Sequence, residues 1–211
     1  TPEDETYPSL LRKIYDPPIV LYTWGRLEKS DSVAISIVGS RQATYYGKQT
    51  AKKFGFQLAH AGLCVISGLA RGIDSAAHEG ALAAGGRTIA VIGSGLGKLY
   101  PRENQVLAEK ISGNGAVVSE FPVDFPPQKR SFPQRNRIVA GWARGTLVIE
   151  AGARSGALIT AGQASDSNRD VYAVPGQIDR PTSQGANRLI QQGAKLVMDG
   201  RDVIDEMPPG S

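Results

Sequence analysis

Three glycine-rich segments, each after an apolar run, have residue types that suit the binding of phosphate. They are GSR at 39–41, SGLARGID at 67–74 and GSGLGKLYP at 93–101. Glycine lets the backbone turn tightly and lets a phosphate approach the backbone N–H groups. Arg41 and Arg71 add cations to the first two segments. Glycine in such turns can also serve geometry alone, but three segments in succession favour a surface that binds anions.

A run of cations without acidic residues forms a second candidate site. The stretch between Asp124 and Glu150 has no acid and carries five cations, more than the net charge of +4 of the whole chain: Lys129, Arg130, Arg135, Arg137 and Arg144. Phe125, Phe132 and Trp142 are interleaved with them. Proteins that bind single-stranded nucleic acid place cations along the phosphates and stack aromatic rings on the bases. A solvated basic face is the alternative, and for Trp142 we favour burial in the core.

Residues suited to catalysis or to cofactor binding are few. His60 and His78 have no partner at metal-ligand spacing, and the glycine segments lack the dinucleotide and Walker patterns. Asp74, Glu120 and Glu150 lie near predicted strand ends and could act as acids or bases. We favour a structural interpretation, in which Asp74 caps a helix and the glutamates anchor arginines. The sequence therefore predicts no metal, no cofactor and no catalytic residue.

The cysteine content and the hydropathy of the chain indicate its compartment. Cys64 is the single cysteine and lies in the apolar run LCVIS, which predicts a buried thiol. No stretch approaches the eighteen or so apolar residues of a membrane span, and the start TPEDETYPSL lacks the features of a signal peptide. We therefore expect a cytoplasmic protein with no membrane partner.

The elements that must position these residues alternate along the chain. Nearly continuous apolar runs predict six strands covered on both faces, at 33–39, 63–68, 87–93, 115–120, 145–151 and 170–176. Apolar or small residues spaced three or four apart predict helices between them, at 44–61, 73–84, 103–112, 132–142, 157–168 and 183–192. The pattern predicts an α/β, doubly wound fold with a mainly parallel sheet and helices on both faces.

Three regions are expected along the chain. Residues 1–30 form a lead-in, with a short helix, a break at Pro17 and Pro18 and an edge strand that packs on the main domain. Residues 31–206 form the main domain, and residues 207–211 form a tail. In an open parallel sheet, ligands bind beyond the carboxyl ends of the strands, so the glycine segments should meet there.

Several long motifs, in this order, resemble one known family. They are VGSRQATYYG, SGLARGIDSAAHEGAL, GSGLGKLYPREN, SEFP, FPQRNRIVAG, VIEAGARSGALITA, AVPG and SQGANRLIQQGA. This series is similar to that of the DNA-processing protein A (DprA/Smf) family, from about Tyr7 to Val203. The resemblance implies an extended Rossmann-like domain that binds single-stranded DNA without sequence preference. It also implies help in loading the recombinase RecA on incoming DNA during natural transformation, and no enzyme activity.

The resemblance implies a basic DNA pocket at defined positions of this sequence. The motif positions are Ser40, Arg41, Arg71, Gly72, Lys129, Arg130, Phe132, Arg135, Asn136, Arg137, Ser155 and Gly156. It also implies a homodimer with contacts around Leu189, Ile190 and Val197. In the third motif Ser94 and Gly97 stand where the family usually has cysteine and an acidic residue, so that loop receives no role.

Two other functions stay open at this point. One is a nucleotide-processing enzyme related to the lysine-decarboxylase-like phosphoribohydrolases, for which Glu150 is the nearest remnant of the expected motif. The other is a protein-binding scaffold whose basic face contacts an acidic partner. Affinity for an oligonucleotide separates the proposed DNA-binding protein from both.

Overall fold

The structure, a computed structural model, describes residues 1–207 and contains one eight-stranded sheet. The predicted tail at 207–211 therefore lies, apart from Met207, outside the described residues. The strands are β1 Tyr22–Gly25, β2 Ala34–Val38, β3 Cys64–Ser67, β4 Thr88–Val91, β5 Gly115–Ser119, β6 Gly145–Val148, β7 Asp170–Ala173 and β8 Lys195–Leu196. Their order across the sheet is β1-β5-β4-β3-β2-β6-β7-β8.

The sheet is parallel except at one edge. Strand β1 pairs antiparallel with β5, and every other neighbouring pair is parallel. At the centre, Ile35 of β2 is level with Val65 of β3 and Gly145 of β6. The expected mainly parallel sheet is thus confirmed, and β1 is the predicted edge strand.

Helices cover both faces of the sheet. They are α1 Tyr45–His60, α2 Ile73–Ala83, α3 Gln105–Asn114, α4 Ser131–Trp142, α5 Gly156–Asp166, α6 Gln184–Gln191 and α7 Arg201–Ile204. Helices α1, α2, α3 and α7 pack on one face, whereas α4, α5 and α6 pack on the other. This arrangement confirms the predicted doubly wound, Rossmann-like α/β fold.

Burial on both faces explains why the strand sequences are apolar almost without interruption. In β2, Ile35 and Ile37 enter the cluster under α1 and α2, while Ala34 and Val38 enter the cluster on the opposite face. Cys64 of β3 is buried as predicted, and this burial raises the pKa of its thiol.

The N-terminal residues are tied to the core rather than detached from it. A short 3-10 helix spans Leu11–Lys13, and Leu11 and Ile14 pack in the cluster that contains the fully buried Trp142. Burial of Trp142 confirms the interpretation favoured from the sequence. A domain boundary at residue 30 stays a prediction.

The sequence pattern missed the shortest strand and the shortest α-helix of the described residues. Strand β8 has two residues and α7 has four, too few to show a hydrophobic period. Across residues 1–207, no helix combines the length and apolar character needed to cross a bilayer.

Candidate nucleic-acid interface

The strand order reverses at β2, which creates a crevice at the carboxyl ends of β2 and β6. From β2 the chain proceeds to β3, β4 and β5 on one side, then returns to β6 and β7 on the other side. Loops after β2 and β6 therefore diverge in opposite directions, and ligands in open α/β sheets bind at such a point. The first two glycine segments meet at this crevice as predicted, whereas Tyr100 and Pro101 of the third segment line a small pocket beside it.

A cleft of about 550 Å³ occupies the crevice. Six predicted site residues line it, from the loop after β2, from α4 and from the start of α5: Ser40, Arg41, Arg135, Asn136, Ser155 and Gly156. A small pocket beside the cleft shares Arg41 and Arg135 with it and adds Arg71 and Phe132. Eight of the twelve predicted residues thus lie in one continuous surface.

Backbone contacts hold the loop after β2 against the loops after β6 and β3. The Ser40 N–H donates to the Glu150 carbonyl at 2.7 Å, and the Ile73 N–H donates to the Ser40 carbonyl at 3.2 Å. Gly72 has φ +80°, and a Cβ there would lie 3.0 Å from the carbonyl carbon of Arg41. Glycine is needed at 72 both for this φ and for the close approach. Gly72 therefore shapes the loop without lining the cleft.

Arg135 supports the floor of the cleft. Its guanidinium is almost wholly buried and donates to the carbonyl of Gly68, at 2.6 Å, and to that of Val91. Burial lowers the pKa of Arg135 to about 10. The buried Asp74 carboxylate accepts the amides of Gly68 and Ala70, and burial raises its pKa despite the nearby Arg135. Asp74 thus braces the loop before α2, and the predicted capping role is wrong, because Gly72 is the N-cap of α2 and no side chain of the described residues caps it.

Cations and aromatic rings alternate beside the cleft. The Arg41 guanidinium lies 5.1 Å from the centroid of the Phe132 ring, and the Tyr100 ring lies 5.7 Å from Phe132 at 52°. Arg71 lies 5.9 Å from the Tyr100 centroid and forms an ion pair with Glu103. This ion pair raises the pKa of Arg71 and lowers that of Glu103. The row Arg41, Phe132, Tyr100 and Arg71, here called the cation–aromatic row, lines the small pocket, and Arg41 joins it to the cleft.

The start of α5 forms one wall of the cleft. Ser155 caps this helix, because its hydroxyl accepts the Ala157 N–H at 3.3 Å, and open space surrounds the Cα of Gly156. A helix N-terminus presents free N–H groups and partial positive charge to an anion. Arg154 is exposed and lines the cleft, although the sequence analysis did not name it. Its position directly before the helix cap was the available signal.

The remaining members of the basic segment lie elsewhere. Lys129 and Arg130 are exposed but line neither the cleft nor the small pocket. Arg137 is also absent from both, and its Nη1 donates to Glu120 Oε2 at 2.8 Å. Glu120 therefore anchors an arginine, as expected. A role of these three cations in DNA binding stays a prediction.

Glu150 differs from its expected role of anchoring an arginine. Its buried carboxylate accepts the N–H of Thr44 at 2.9 Å and the Thr44 hydroxyl at 2.6 Å. The Thr44 hydroxyl in turn accepts the Gly47 N–H and caps α1. Glu150 thus fixes the start of α1 beside the cleft. Within residues 1–207, no group of three or more His, Cys, Asp and Glu residues is placed to hold a metal ion.

Comparison with known proteins gives consistent matches over the chain. A family model described as DNA recombination-mediator protein A matches residues 1–208. Protein Smf of Synechocystis is 43% identical over 97% of this chain, which spans only 52% of that protein. The X-ray structure of DNA processing protein A from Streptococcus pneumoniae superposes with a TM-score of 0.92 and 45% identity, covering 97% of this chain and 72% of that one.

A second similar structure is of a protein that binds single-stranded DNA. It is DNA processing protein A from Helicobacter pylori, reported for a unique single-stranded DNA binding mode. It superposes with a TM-score of 0.86 and 30% identity, covering 94% of this chain and 91% of that one.

Proposed function

Because this chain belongs to the family of DNA recombination-mediator protein A, we propose that its cleft binds single-stranded DNA without sequence preference. The observation that carries the proposal is the cation–aromatic row beside a cleft at the switch point of the sheet. Unpaired bases stack on aromatic faces, and phosphates bind cations and helix N-termini. The ligand described for the Helicobacter pylori relative supports the same choice.

In this proposal, the cleft binds phosphates and the cation–aromatic row beside it binds bases. Arg41, Arg154 and the amides at the start of α5 hold phosphates, while Phe132 offers its ring to a base. Phosphates and ring faces are common to all nucleotides, so these contacts do not discriminate between sequences. Arg135 acts through the Gly68 loop that it supports rather than through direct contact.

The same residues favour binding over catalysis. The two buried carboxylates near the cleft, Asp74 and Glu150, already accept backbone or hydroxyl hydrogens and brace the loops. We therefore propose that the protein acts on DNA as a binding protein and that Glu150 is structural.

We also propose that the protein helps RecA onto the bound strand, as the description of its family as a recombination mediator suggests, and that it forms a homodimer. Exposed Leu196 and Met198, at 44% and 70%, lie at the β8 edge of the sheet and suit a contact between copies. The predicted dimer contact through Val197 is wrong, because this side chain is fully buried within one chain. Leu189 and Ile190 are partly buried against the core.

Fluorescence anisotropy with a labelled mixed-sequence oligonucleotide tests the main proposal. Wild-type protein should bind single strands with an affinity that falls as salt rises, by about 0.7 log units per log unit of salt for each phosphate contact. Arg41→Ala should weaken binding to all sequences alike and lower this slope by about 0.7. Lys13→Ala, an exposed cation outside the cleft, is the control. Absence of salt-sensitive binding by wild-type protein would overturn the proposal.

Assembly and RecA loading need separate measurements. Sedimentation of wild-type protein and of Leu196→Asp tests the dimer, which the variant should weaken. RecA filament formation on single strands covered by a single-strand binding protein should be faster when this protein is added. If the protein binds the strand but does not accelerate filament formation, the loading proposal is refuted and the proposed DNA binding is unaffected.

A further inference from the structure

A second groove lies next to the cation–aromatic row. It has a volume of about 640 Å³ and is formed by the loop after β4, the first residues of α3 and the proline loop before α4. Its lining combines apolar, aromatic and positively charged side chains: Leu96, Lys98, Leu99, Tyr100, Arg102 and Pro127. This loop is the glycine segment to which the family motif gave no role.

The cations of this groove differ from Arg71 in their pairing. Lys98 and Arg102 are exposed and, among residues 1–207, have no acidic partner within ion-pair distance. Arg71 is instead paired with Glu103. Asp124 lies near Gly97 but does not line the groove, and Lys98 and Arg102 leave the groove with a positive balance. Its charge therefore suits a phosphate backbone.

The groove is continuous with the proposed DNA site. The small pocket that contains Arg41 and Phe132 also contains Tyr100, and Tyr100 lines the second groove as well. The Tyr100 ring is 37% exposed, so it faces solvent at the junction. A strand leaving the cleft along the cation–aromatic row would reach this groove at Tyr100, past Glu103, the ion-pair partner of Arg71.

We propose that this groove is a second nucleotide subsite for the same single strand. Lys98 and Arg102 hold phosphates, and an unpaired base lies between Tyr100 and the apolar wall of Leu96, Leu99 and Pro127. The inference rests on the proposed binding of DNA in the cleft. It implies that the strand runs from the cleft along the cation–aromatic row into the groove. It therefore predicts that the protein contacts more nucleotides than the cleft alone would hold.

Affinity for oligothymidylates of increasing length tests the subsite. The series runs from a dinucleotide to about 16 nucleotides, the upper site size of common single-strand modules. The test variant is Lys98→Ala/Arg102→Ala. The control is Lys13→Ala/Arg201→Ala, which removes the same types of exposed cation from positions that line none of the three cavities.

The subsite predicts an effect that depends on length. Long oligonucleotides should bind the test variant about tenfold more weakly, with a salt slope lower by about 1.4, since two phosphate contacts are lost. The shortest oligonucleotides should bind both double variants and the wild type equally. The affinity of the test variant should also stop rising with length earlier than that of the wild type.

The possible failures are distinguishable. If the wild-type protein binds no oligonucleotide of any length, the proposed function itself fails. If it binds but the test variant keeps the wild-type dependence on length, or loses affinity equally at all lengths, the subsite is refuted and the cleft stands.

Cross-linking offers a second measurement that needs no variant. A strand with one 5-iodouracil, moved along its length, should give a photoproduct within the peptide that contains Tyr100. Cross-links confined to peptides of the cleft would also overturn the subsite.

Discussion

Gly68 leaves the space that the guanidinium of Arg135 fills. A methyl group on Gly68 would lie 2.6 Å from Cζ of Arg135, whose Nη1 donates to the Gly68 carbonyl at 2.6 Å. The same guanidinium reaches the carbonyl of Val91, so one buried cation joins the ends of β3 and β4. The floor of the cleft thus depends on a glycine and an arginine 67 residues apart.

Gly68→Ala should therefore destabilise the protein through Arg135. The methyl group displaces the guanidinium from two buried carbonyls, and hydrogen bonds to charged groups contribute about 1.5 to 3 kcal/mol each. We expect the free energy of unfolding in urea to fall by about 3 kcal/mol or more. Gly113→Ala, in α3 with open space around it, should change stability by less than about 1 kcal/mol and is the matched control. Equal stability of the two variants would contradict the supporting role of Arg135.

Arg137→Ala should separate stability from DNA binding. Arg137 donates to Glu120 and, through Nε, to the Asp16 carbonyl at 3.0 Å, so it ties the N-terminal residues to α4. Its loss should lower the free energy of unfolding by about 2 kcal/mol. The salt slope of oligonucleotide binding should stay unchanged, whereas Arg41→Ala should lower it by about 0.7. A lower slope in Arg137→Ala would instead support the role in DNA binding that the family resemblance implies for this residue.

The sequence predicted the main strands well because their physical signal is strong. The apolar run at 33–39 became β2 at Ala34–Val38, and the run at 63–68 became β3 at Cys64–Ser67. Strands buried on both faces cannot contain exposed polar residues, so their limits are visible in the sequence. The predicted meeting of loops at strand ends follows from the parallel sheet and needs no knowledge of side chains.

The directions of the side chains in the basic segment are harder to predict from the sequence. A run of cations in the sequence suggests one surface, but successive residues of a helix point about 100° apart. Phe132, Arg135 and Asn136, spaced three and four apart, face the cleft region, while Arg137 points toward Glu120. Helical spacing within α4 would have separated Arg137. The burial of Arg135 depends on Gly68, which is distant in sequence, so no local pattern reveals it.

Phe132→Leu should weaken DNA binding without changing its salt dependence. Phe132 is half-buried beside Gly93 and carries Arg41 on its ring. Loss of a stacked base costs about 1 to 3 kcal/mol, which corresponds to a fall in affinity of about fivefold to 150-fold. Phe56→Leu, an exposed ring on α1 outside the cleft, is the control. An unchanged affinity in anisotropy measurements would remove Phe132 from the interface.

Glu103→Gln should strengthen DNA binding because Glu103 competes with phosphate for Arg71. The ion pair holds Arg71 against Tyr100, and removal of the carboxylate charge leaves this cation free for the strand. We expect higher affinity and a salt slope larger by about 0.7. Glu109→Gln, which removes an exposed charge paired with Gln105 on α3, should give a smaller gain. If the gain persists in Glu103→Gln/Arg71→Ala, the competition does not involve Arg71.

His78 is a buried neutral group on the opposite side of α2 from solvent. Its Nδ1 lies 2.7 Å from Thr88 Oγ1, and the Thr88 hydroxyl donates to the Val65 carbonyl at 2.7 Å. The Thr88 oxygen must therefore accept the Nδ1 proton, which leaves Nε2 as the unprotonated nitrogen. Burial, with a smaller effect of Arg135, lowers the pKa of His78 to about 3.

This shift makes the stability of the protein fall with acid. The unfolded state binds a proton at His78 near pH 6.5, whereas the folded state does so only near pH 3. Between these values proton binding stabilises the unfolded state relative to the folded state, so the free energy of unfolding falls as the pH falls. The free energy of unfolding from this group should drop by about 2 kcal/mol between pH 7 and pH 5, measured by urea titration. In His78→Gln this drop should disappear, even though the variant is less stable at pH 7. A variant that keeps the full pH dependence would show that another group causes it.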